Sequence, residues 1–478
     1  MAVLRKFAQL GVPALLCATL SACGGGSSRS ATPATPSLYM EGIASGFSGK
    51  LELSDNGQGK LSLSQAGPFR FPQQVVPGSS YDIRVVKQPP GRYCSVFNGS
   101  GKASGNVRDI EIRCVPGNTD AVYLFGKTAL AGTQPTGNLV KVPGSRGNFY
   151  GTTSAGGSYG DGTLYEYNVG GTLTVLHQFQ GGKTDGTTPY GAPTPNGDGA
   201  LYGVTTSGGI GGGTVYTVSP QGQESILHSF TGGADGSEPS SPLLRLSNGD
   251  LVGTTQQGGQ YGFGTLYEIS PSGSIKVLHA FSGGSAGLDF PEGHLLLASN
   301  GTIYGITVGE PSGGGSGVYA YNPVTQAYSR VWSFSGTGRS GPNGGLIQAS
   351  DGMLYGVTAG SGAYGMGSVY RIDPTSGAHQ VIYSFTGGAD GSNPLNSLYQ
   401  GDNGRLYVTT ALGGANGEGT LGSIRTNGSG YELLVSYSDA ADGLSKPQGP
   451  LVEGPQGYLY GLMNQGGSGG GGALYVVY

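Results

Sequence analysis

The chain has 478 residues, of which 97 are glycine and only 11% are charged. Its net charge of −4 and the lack of a basic stripe argue against a nucleic-acid partner. Glycine at this frequency would indicate disorder if it were aperiodic, but here it recurs at fixed offsets and therefore marks turns.

Residues 1–22 predict an export signal that lies outside the folded part of the chain. Arg5 and Lys6 supply a positive start, and residues 8–20 are mostly apolar. No other apolar run approaches 20 residues, so the sequence predicts no further membrane span.

The run LSAC at 20–23 resembles the lipobox of bacterial lipoproteins. The resemblance implies cleavage before Cys23, acylation at that residue and a lipid anchor in the cell envelope. Gly24 after the cysteine implies sorting to the outer membrane, as in Gram-negative lipoproteins. The alternative is an ordinary secretory signal with an incidental cysteine. Residues 23–37 are then the lipidated cysteine and a flexible linker.

Residues 38–116 predict a small β-sandwich. Alternating stretches separated by turn signals are typical of short antiparallel strands. These stretches are Lys50–Leu53, Lys60–Leu63, Phe69–Phe71, Tyr81–Val86 and Arg108–Arg113.

The sandwich carries the two cysteines that remain once Cys17 leaves with the signal and Cys23 takes the lipid. Cys94 and Cys114 form an even pair in an oxidising compartment, which predicts a disulfide. Such a bridge closes a loop of about twenty residues and stabilises by roughly 3 kcal/mol. A metal or redox site is the alternative. The segment QPPGRYC at 88–94 resembles a small Cys-paired module of bacterial lipoproteins, which implies a spacer, or a sugar- or protein-binding unit.

Residues 119–478 contain one pattern written seven times. Its anchor is an apolar residue, a second residue that is tyrosine in six copies, and glycine in six. The second positions lie 50 to 53 residues apart. They are Tyr150, Tyr202, Val252, Tyr304, Tyr355, Tyr407 and Tyr460. A period near fifty with strand-type patterning predicts a β-propeller.

Each copy predicts four antiparallel strands. In the third, these are Ser241–Leu246, Asp250–Thr255, Thr265–Ile269 and Ile275–Phe281. A glycine three residues before the anchor follows Asn or Asp in five copies, which predicts a type I′ hairpin turn between the first two strands. A tyrosine on the third strand and an aromatic at the end of the fourth predict packing between neighbouring blades.

The chain ends on the third strand of the last copy. Residues 122–125 align with the fourth strand at 227–230. The sequence therefore predicts a seven-bladed propeller with 3+1 strand closure, in which the N-terminal strand completes the last blade. The full pattern, clearest from Leu201 to Pro239, resembles the GloVer tandem repeat of secreted and surface-anchored bacterial proteins. That family implies fold and location but no defined reaction.

The longer loops join strand two to three and strand four to the next blade, on one face, where we expect binding. Four blade-joining loops contain Asp-Gly. Their aspartates are Asp185, Asp235, Asp390 and Asp442. A Ca²⁺ site is one interpretation, but each loop offers one carboxylate, so the sequence favours an Asx turn and no metal cofactor. His177, His228 and His279 occupy one position in successive blades, which favours packing over a shared metal.

Departures from the repeat are the places to seek an asymmetric site. Asp289, Glu292 and His294 in one divergent stretch and Glu310 in the next long loop could act as acid and base if they converge. Their spacing does not require this, so no catalytic residue is assigned. The sequence favours a surface-anchored binding or scaffolding module for a polysaccharide or protein. The alternative is an extracellular polysaccharide-acting hydrolase or lyase.

Overall fold

The computed structural model describes residues 38–478 except 57–58, 88, 90–91, 117–118, 127–128, 146, 285–286, 310–314, 335–340, 439–443, 455–456 and 467–469. Over these residues the protein is all-β, with 35 strands and one short 3₁₀ turn, Ala129–Ala131. The proposed signal, Cys23 and the linker lie outside the described residues.

The first six strands form one sheet in the order β4-β6-β1-β3-β5, with β2 paired to β1. Their bounds are β1 Met40–Asp55, β2 Gly59–Arg70, β3 Ser80–Lys87, β4 Arg92–Phe97, β5 Ser100–Lys102 and β6 Val107–Pro116. All five stretches expected from the sequence fall on or overlap these strands. Cys94 and Cys114 face each other on β4 and β6 and form the predicted disulfide.

This unit is one bent sheet where the sequence predicted two packed sheets. β1 shifts register against β2 twice, between Ala44 and Leu51. Gly46 and Gly49 lie there with φ of 80° and 98°, a conformation that favours glycine. The bend lets the first half of β1 pair with β6 and the second half with β3. Both halves enclose one core with Leu51, Leu53 and Ile112 at its centre.

The remaining strands form sheets 1 to 7, one for each sequence repeat. β7 is Thr119–Leu124. Sheet 1 comprises β8 Thr133–Lys141, β9 Asn148–Ala155, β10 Thr163–Asn168 and β11 Thr172–Gln178. Sheet 2 comprises β12 Gly186–Pro195, β13 Leu201–Gly208, β14 Thr214–Val218 and β15 Glu224–Ser229. Sheet 3 comprises β16 Ser237–Pro239, β17 Leu244–Arg245, β18 Leu251–Gln257, β19 Thr265–Ile269 and β20 Ile275–Ala280.

Sheets 4 and 5 are bridged through His294 and Gly345. Sheet 4 comprises β21 Pro291–Leu297, β22 Ile303–Thr307, β23 Gly317–Asn322 and β24 Ala327–Ser333. Sheet 5 comprises β25 Pro342–Gln348, β26 Leu354–Thr358, β27 Ser368–Ile372 and β28 His379–Ser384. Sheet 6 comprises β29 Tyr399–Gln400, β30 Leu406–Thr410, β31 Thr420–Ile424 and β32 Glu432–Ser436. Sheet 7 comprises β33 Leu444–Glu453, β34 Leu459–Gly466 and β35 Ala473–Val477, with β7 paired to β35.

The turn between the first two strands of a repeat differs from the predicted type I′. Gly249 has a φ of 93°, but the preceding Asn248 does not have the positive φ that a type I′ turn requires. The N–H of Gly249 donates to Leu246 O at 3.0 Å, and the N–H of Leu246 donates to Asp250 O at 2.8 Å. This is a three-residue turn with a glycine bulge. Asn248 instead accepts the Asp250 N–H with its side-chain oxygen, at 3.1 Å.

The predicted aromatic packing between neighbouring repeats is confirmed. The ring that ends a fourth strand contacts the third-strand tyrosine of the next sheet, as Phe230 does with Tyr267 at a centroid distance of 5.1 Å. The equivalent pairs include Phe125–Tyr165, Phe179–Tyr216, Phe281–Tyr319, Phe334–Tyr370 and Tyr437–Tyr475. We call each of these contacts a seam. At the seam between sheets 2 and 3 both rings, Phe230 and Tyr267, are fully buried.

Candidate functional site

A cavity of about 570 Å³ lies where the first strands of different repeats meet. Each repeat carries a proline on or shortly before its first strand, and the residue after this proline lines the cavity in six of the seven repeats. These residues are Thr136, Tyr190, Glu292, Asn343, Leu395 and Gln448. The repeat thus supplies one position per sheet, and the sequence varies that position freely. The result is an asymmetric site on a repetitive frame.

A glycine bulge turns these residues toward the cavity. In five repeats the first strand shifts register directly after the lining residue, as between Tyr190 and Thr194. Gly191, next to Tyr190, has a φ of 70°. A Cβ on Gly137 would lie 2.4 Å from Gly191 Cα, so neighbouring strands approach too closely for a side chain there.

The residue before the proline is also held in an unusual conformation. In six repeats it is a non-glycine residue with φ of 53° to 57°. Its N–H donates to the preceding repeat, as Thr188 does to Asp161 O at 3.0 Å and Phe290 to Phe263 O at 3.1 Å. The cavity residues are therefore fixed by contacts between repeats, and such constraint pre-organises a site.

The cavity opens on the face of the long loops. Its wall includes Gln256 and Gln257 at the end of β18, and Val308 and Gly309 directly after β22. Each of these second strands leads there into a two-to-three loop. The binding face expected from the sequence and the cavity mouth therefore coincide.

Glu292 is the one carboxylate among the described lining residues. Gln256 Nε2 donates to Glu292 Oε2 at 3.5 Å. Tyr190 lines the same wall, and its burial together with the charge of Glu292 raises the pKa of its phenol well above the ordinary value. The wall therefore offers a charged acceptor beside a neutral phenol and an amide.

His294 also lines the cavity, and protein atoms that enclose it lower its pKa from 6.5 to about 4. The imidazole is therefore neutral at neutral pH. Since an unfolded chain would protonate this group first, the stability it contributes is complete above pH 6.5 and is lost as the pH falls toward about 4.

The four residues proposed as a divergent acid–base set are not all brought together. Glu292 and His294 share the cavity. Asp289 is fully buried and is not one of the lining residues. Glu310 lies outside the described residues. Tyr190, Gln256 and Asn343 were not predicted from the sequence, because only the folded structure shows that these positions converge.

The blade-joining aspartates bind their own turns. Asp235 Oδ2 accepts the N–H of Thr231 at 3.0 Å and lies 3.1 Å from His228 Nε2. Asp390 accepts the Thr386 N–H at 2.9 Å and the Tyr383 hydroxyl at 3.0 Å. Each of these two aspartates therefore accepts a backbone N–H four residues earlier in its own loop, and not two residues later as in the predicted Asx turn. Asp442 lies outside the described residues.

The same pattern explains the histidines. His177 and His228 contact the aspartate of their own loop, Asp185 and Asp235. His279, whose loop has Ala286 at the sequence position of these aspartates, stacks on Tyr328 with ring centroids 3.5 Å apart. The three imidazoles belong to three separate seams.

Exposed aromatic and apolar side chains stand at the tips of the two-to-three loops. Tyr159, Tyr261 and Tyr364 are 58%, 52% and 62% exposed, and Ile210 takes the equivalent place in sheet 2 at 59%. These four residues, here called the loop-tip ring, lie on the face of the cavity mouth.

The described part of the chain contains no helix that is long and apolar enough to cross a membrane. A family model for the Gloeobacter/Verrucomicrobia repeat matches residues 83–313 and 290–477. None of the curated proteins matches the sequence.

Two solved structures are similar to this chain in fold. One is an extracellular domain from B. thetaiotaomicron, with a TM-score of 0.50 and 12% identity over 75% of this chain. The match spans 40% of that structure's length. The other is an oligogalacturonate lyase from Vibrio parahaemolyticus, with a TM-score of 0.49 and 10% identity, covering 84% of this chain and 98% of that one. At 12% identity the likeness to the B. thetaiotaomicron domain shows a β-propeller-like fold and nothing about activity.

Proposed function

Since the chain belongs to the Gloeobacter/Verrucomicrobia repeat family, we propose that it is an envelope lipoprotein whose seven repeats close into a propeller that binds a carbohydrate at its cavity mouth. The observation that carries this proposal is the cavity at the first strands, with its polar, asymmetric wall. Separate features support the closure of the seven repeats, the chemistry of the ligand and the lipid anchor.

Contacts between the first and last repeats support a closed seven-bladed ring. β7 pairs with β35 at the outer edge of sheet 7, where the proposed 3+1 closure needs a fourth strand. Phe149 of sheet 1 packs on Tyr460 of sheet 7 at a centroid distance of 5.0 Å. A Cβ on Gly449 would lie 1.8 Å from Gly137 O, so sheets 7 and 1 are also in contact at the cavity.

The cavity wall suits a neutral, hydroxyl-rich ligand. Asn343, Gln448, Gln256 and Thr136 offer amide and hydroxyl groups, and Glu292 offers a charged acceptor. Sugar hydroxyls both donate and accept, so they can satisfy such a wall without a counter-ion. A volume of about 570 Å³ is within the usual range for small-ligand sites.

The loop-tip ring extends this surface beyond the cavity. Exposed tyrosines give an apolar ring face with a polar tip, a combination suited to stacking against a sugar and bonding its hydroxyls. Tyr261 and Tyr364 stand in sheets 3 and 5, on opposite sides of the Glu292 strand in sheet 4. A polysaccharide chain could therefore contact the loop tips while one residue enters the cavity.

The cavity favours binding over glycoside hydrolysis. Two carboxyl groups about 5 to 10 Å apart are the usual requirement for a glycosidase. Among the described lining residues only Glu292 carries a carboxylate. Asp289, the nearest acid in sequence, is fully buried.

The anchor is proposed from the sequence alone. A signal at 1–22, acylation of Cys23 and the polar linker 24–37 would tether the folded units to the outer membrane. The β1–β6 unit would then lie between membrane and propeller as a spacer.

A glycan array probed with the full-length chain in detergent tests the proposed ligand. We expect binding to a neutral polysaccharide class, weakened about tenfold or more by Glu292→Gln because a charged hydrogen bond is lost. Tyr261→Ala should weaken binding to longer chains in particular.

The matched control is Val324→Ser. Val324 is 89% exposed in the turn after β23, on the opposite face, so its change should leave binding unaltered. An array without any bound glycan would contradict the carbohydrate proposal and favour a protein ligand or scaffold. Binding that is insensitive to Glu292→Gln would move the site away from the cavity.

A further inference from the structure

A cluster of three metal-ligating side chains lies at the seam between sheets 1 and 2. His177 is on β11, Asp185 precedes β12, and Glu224 begins β15. One ligand atom from each lies within 4.8 Å of the others, and His177 Nε2 is 3.2 Å from Asp185 Oδ2. We propose that this cluster is a binding site for a divalent transition metal of the zinc type. The proposal does not depend on the cavity or its ligand.

The donor set selects the class of ion. One imidazole nitrogen and two carboxylate oxygens are ordinary ligands of Zn²⁺, at about 2.0 to 2.2 Å from the ion. Donors around one such ion lie about 3 to 4 Å apart, so small rotations of the side chains bring the observed cluster to binding distance. Ca²⁺ and Mg²⁺ prefer all-oxygen sets, which the histidine disfavours.

Two of the three ligands are already positioned. The side chain of Asp185 is 9% exposed, and its oxygens accept the N–H groups of Gly186 at 2.7 Å and Gln180 at 2.9 Å. The ring of His177 packs edge-on against Phe179 at 4.8 Å. Such supporting contacts orient metal ligands and limit the entropy lost on binding.

The third proposed ligand, Glu224, has a buried oxygen that a cation would satisfy. Glu224 Oε1 is buried and has no hydrogen-bond partner among the described residues. A buried acceptor without a donor is unfavourable, and a metal ion at this point would satisfy it.

The next seam provides an internal comparison. His228 and Asp235 repeat the imidazole–carboxylate pair at 3.1 Å. Ile275 takes the position of Glu224 at this seam. Glu224 pairs with Val218, the last residue of β14, and Ile275 pairs with Ile269, the last residue of β19. The His–Asp pair is therefore a feature of the repeat, and the third ligand is particular to the first seam.

Equilibrium dialysis of the untagged full-length chain against Zn²⁺, with metal counted by atomic emission, tests the site. We expect one Zn²⁺ per chain and a higher melting temperature with zinc. Glu224→Gln keeps the side-chain shape and should weaken binding about tenfold or more, since loss even of a group that only orients a metal ligand costs roughly 10–100-fold in affinity. His228→Ala, at the comparison seam, should leave stoichiometry and affinity unchanged.

A gain-of-site variant extends the test. Ile275→Glu completes the set at the second seam and should raise binding to two equivalents. The proposal is overturned if the wild-type chain binds no Zn²⁺, if Glu224→Gln binds as tightly as wild type, or if Ca²⁺ competes as well as zinc.

Discussion

A glycine and a tyrosine face each other across the second and third strands in six of the seven repeats. The pairs are Gly151–Tyr165, Gly203–Tyr216, Gly253–Tyr267, Gly305–Tyr319, Gly356–Tyr370 and Gly461–Tyr475. A Cβ on Gly253 would lie 2.4 Å from Tyr267 Oη. The glycine of the repeat anchor is therefore required by the ring beside it, which fills the seam.

The sixth repeat reverses this pair, with Val408 facing Gly422. The missing ring is supplied by Tyr431, whose Oη would lie 2.3 Å from a Cβ on Gly422. Its hydroxyl donates to Asp390 O at 3.0 Å. From the sequence alone, Val408 and Gly422 indicate that the motif is degraded in the sixth repeat. The compensating residue, Tyr431, lies outside the motif and can be identified only from the strand register.

We expect Tyr431→Ala to destabilise the protein by about 3–5 kcal/mol, because the atoms nearest to a Cβ on Gly422 among the described residues all belong to the Tyr431 ring and its hydroxyl. Chemical denaturation monitored by circular dichroism measures the change. Tyr328→Ala is the matched control, since Tyr328 takes the same strand position in sheet 4, where Tyr319 already fills the space. Equal losses in the two variants would contradict the compensation.

At the scale of elements, the strand bounds predicted for the third repeat agree with the structure for strands two, three and four, but only in part for the first. The expected first strand, Ser241–Leu246, includes β17 Leu244–Arg245 and misses β16 Ser237–Pro239. Proline and a glycine bulge interrupt the alternation that marks a strand, so these segments resemble loops in sequence. The cavity residues lie in this stretch, which is why most of the wall was not found from the sequence.

The element with the greatest expected effect is β7. Replacing residues 119–126 by a Gly-Ser sequence of equal length removes the outer strand of sheet 7 and Phe125, which is fully buried. A single buried Phe→Ala change costs about 3–5 kcal/mol of folding stability. We expect this replacement to cost more, because the pairing of a whole strand is lost too. Thermal unfolding measures it.

The same replacement within linker 24–37 is the control and should leave the melting temperature unchanged. An unaltered melting temperature after replacement of residues 119–126 would contradict ring closure by this strand.

For the whole molecule, the repeat pattern predicted more of the structure than the search for catalytic or binding motifs. The period of fifty to fifty-three residues predicted the all-β architecture, and the resemblance of the repeat motif implied the family; both are confirmed. Divergence from the repeat pointed to Glu292 and His294, which do share the cavity. It could not assemble the rest of the wall, since residues about fifty positions apart in sequence become neighbours only when the strands converge.

Attachment of the whole molecule to a membrane is the remaining prediction, and it depends on one thiol. Cys23→Ala should move the protein from the membrane fraction to the soluble fraction and remove the acyl mass from its N-terminal peptide, because two or more lipid chains hold a protein far more firmly than one. Cys17→Ala, within the signal, should leave both unchanged. Fractionation with mass spectrometry measures the outcome. A Cys23→Ala protein that stays membrane-bound without its signal peptide would show that another part of the chain holds the membrane.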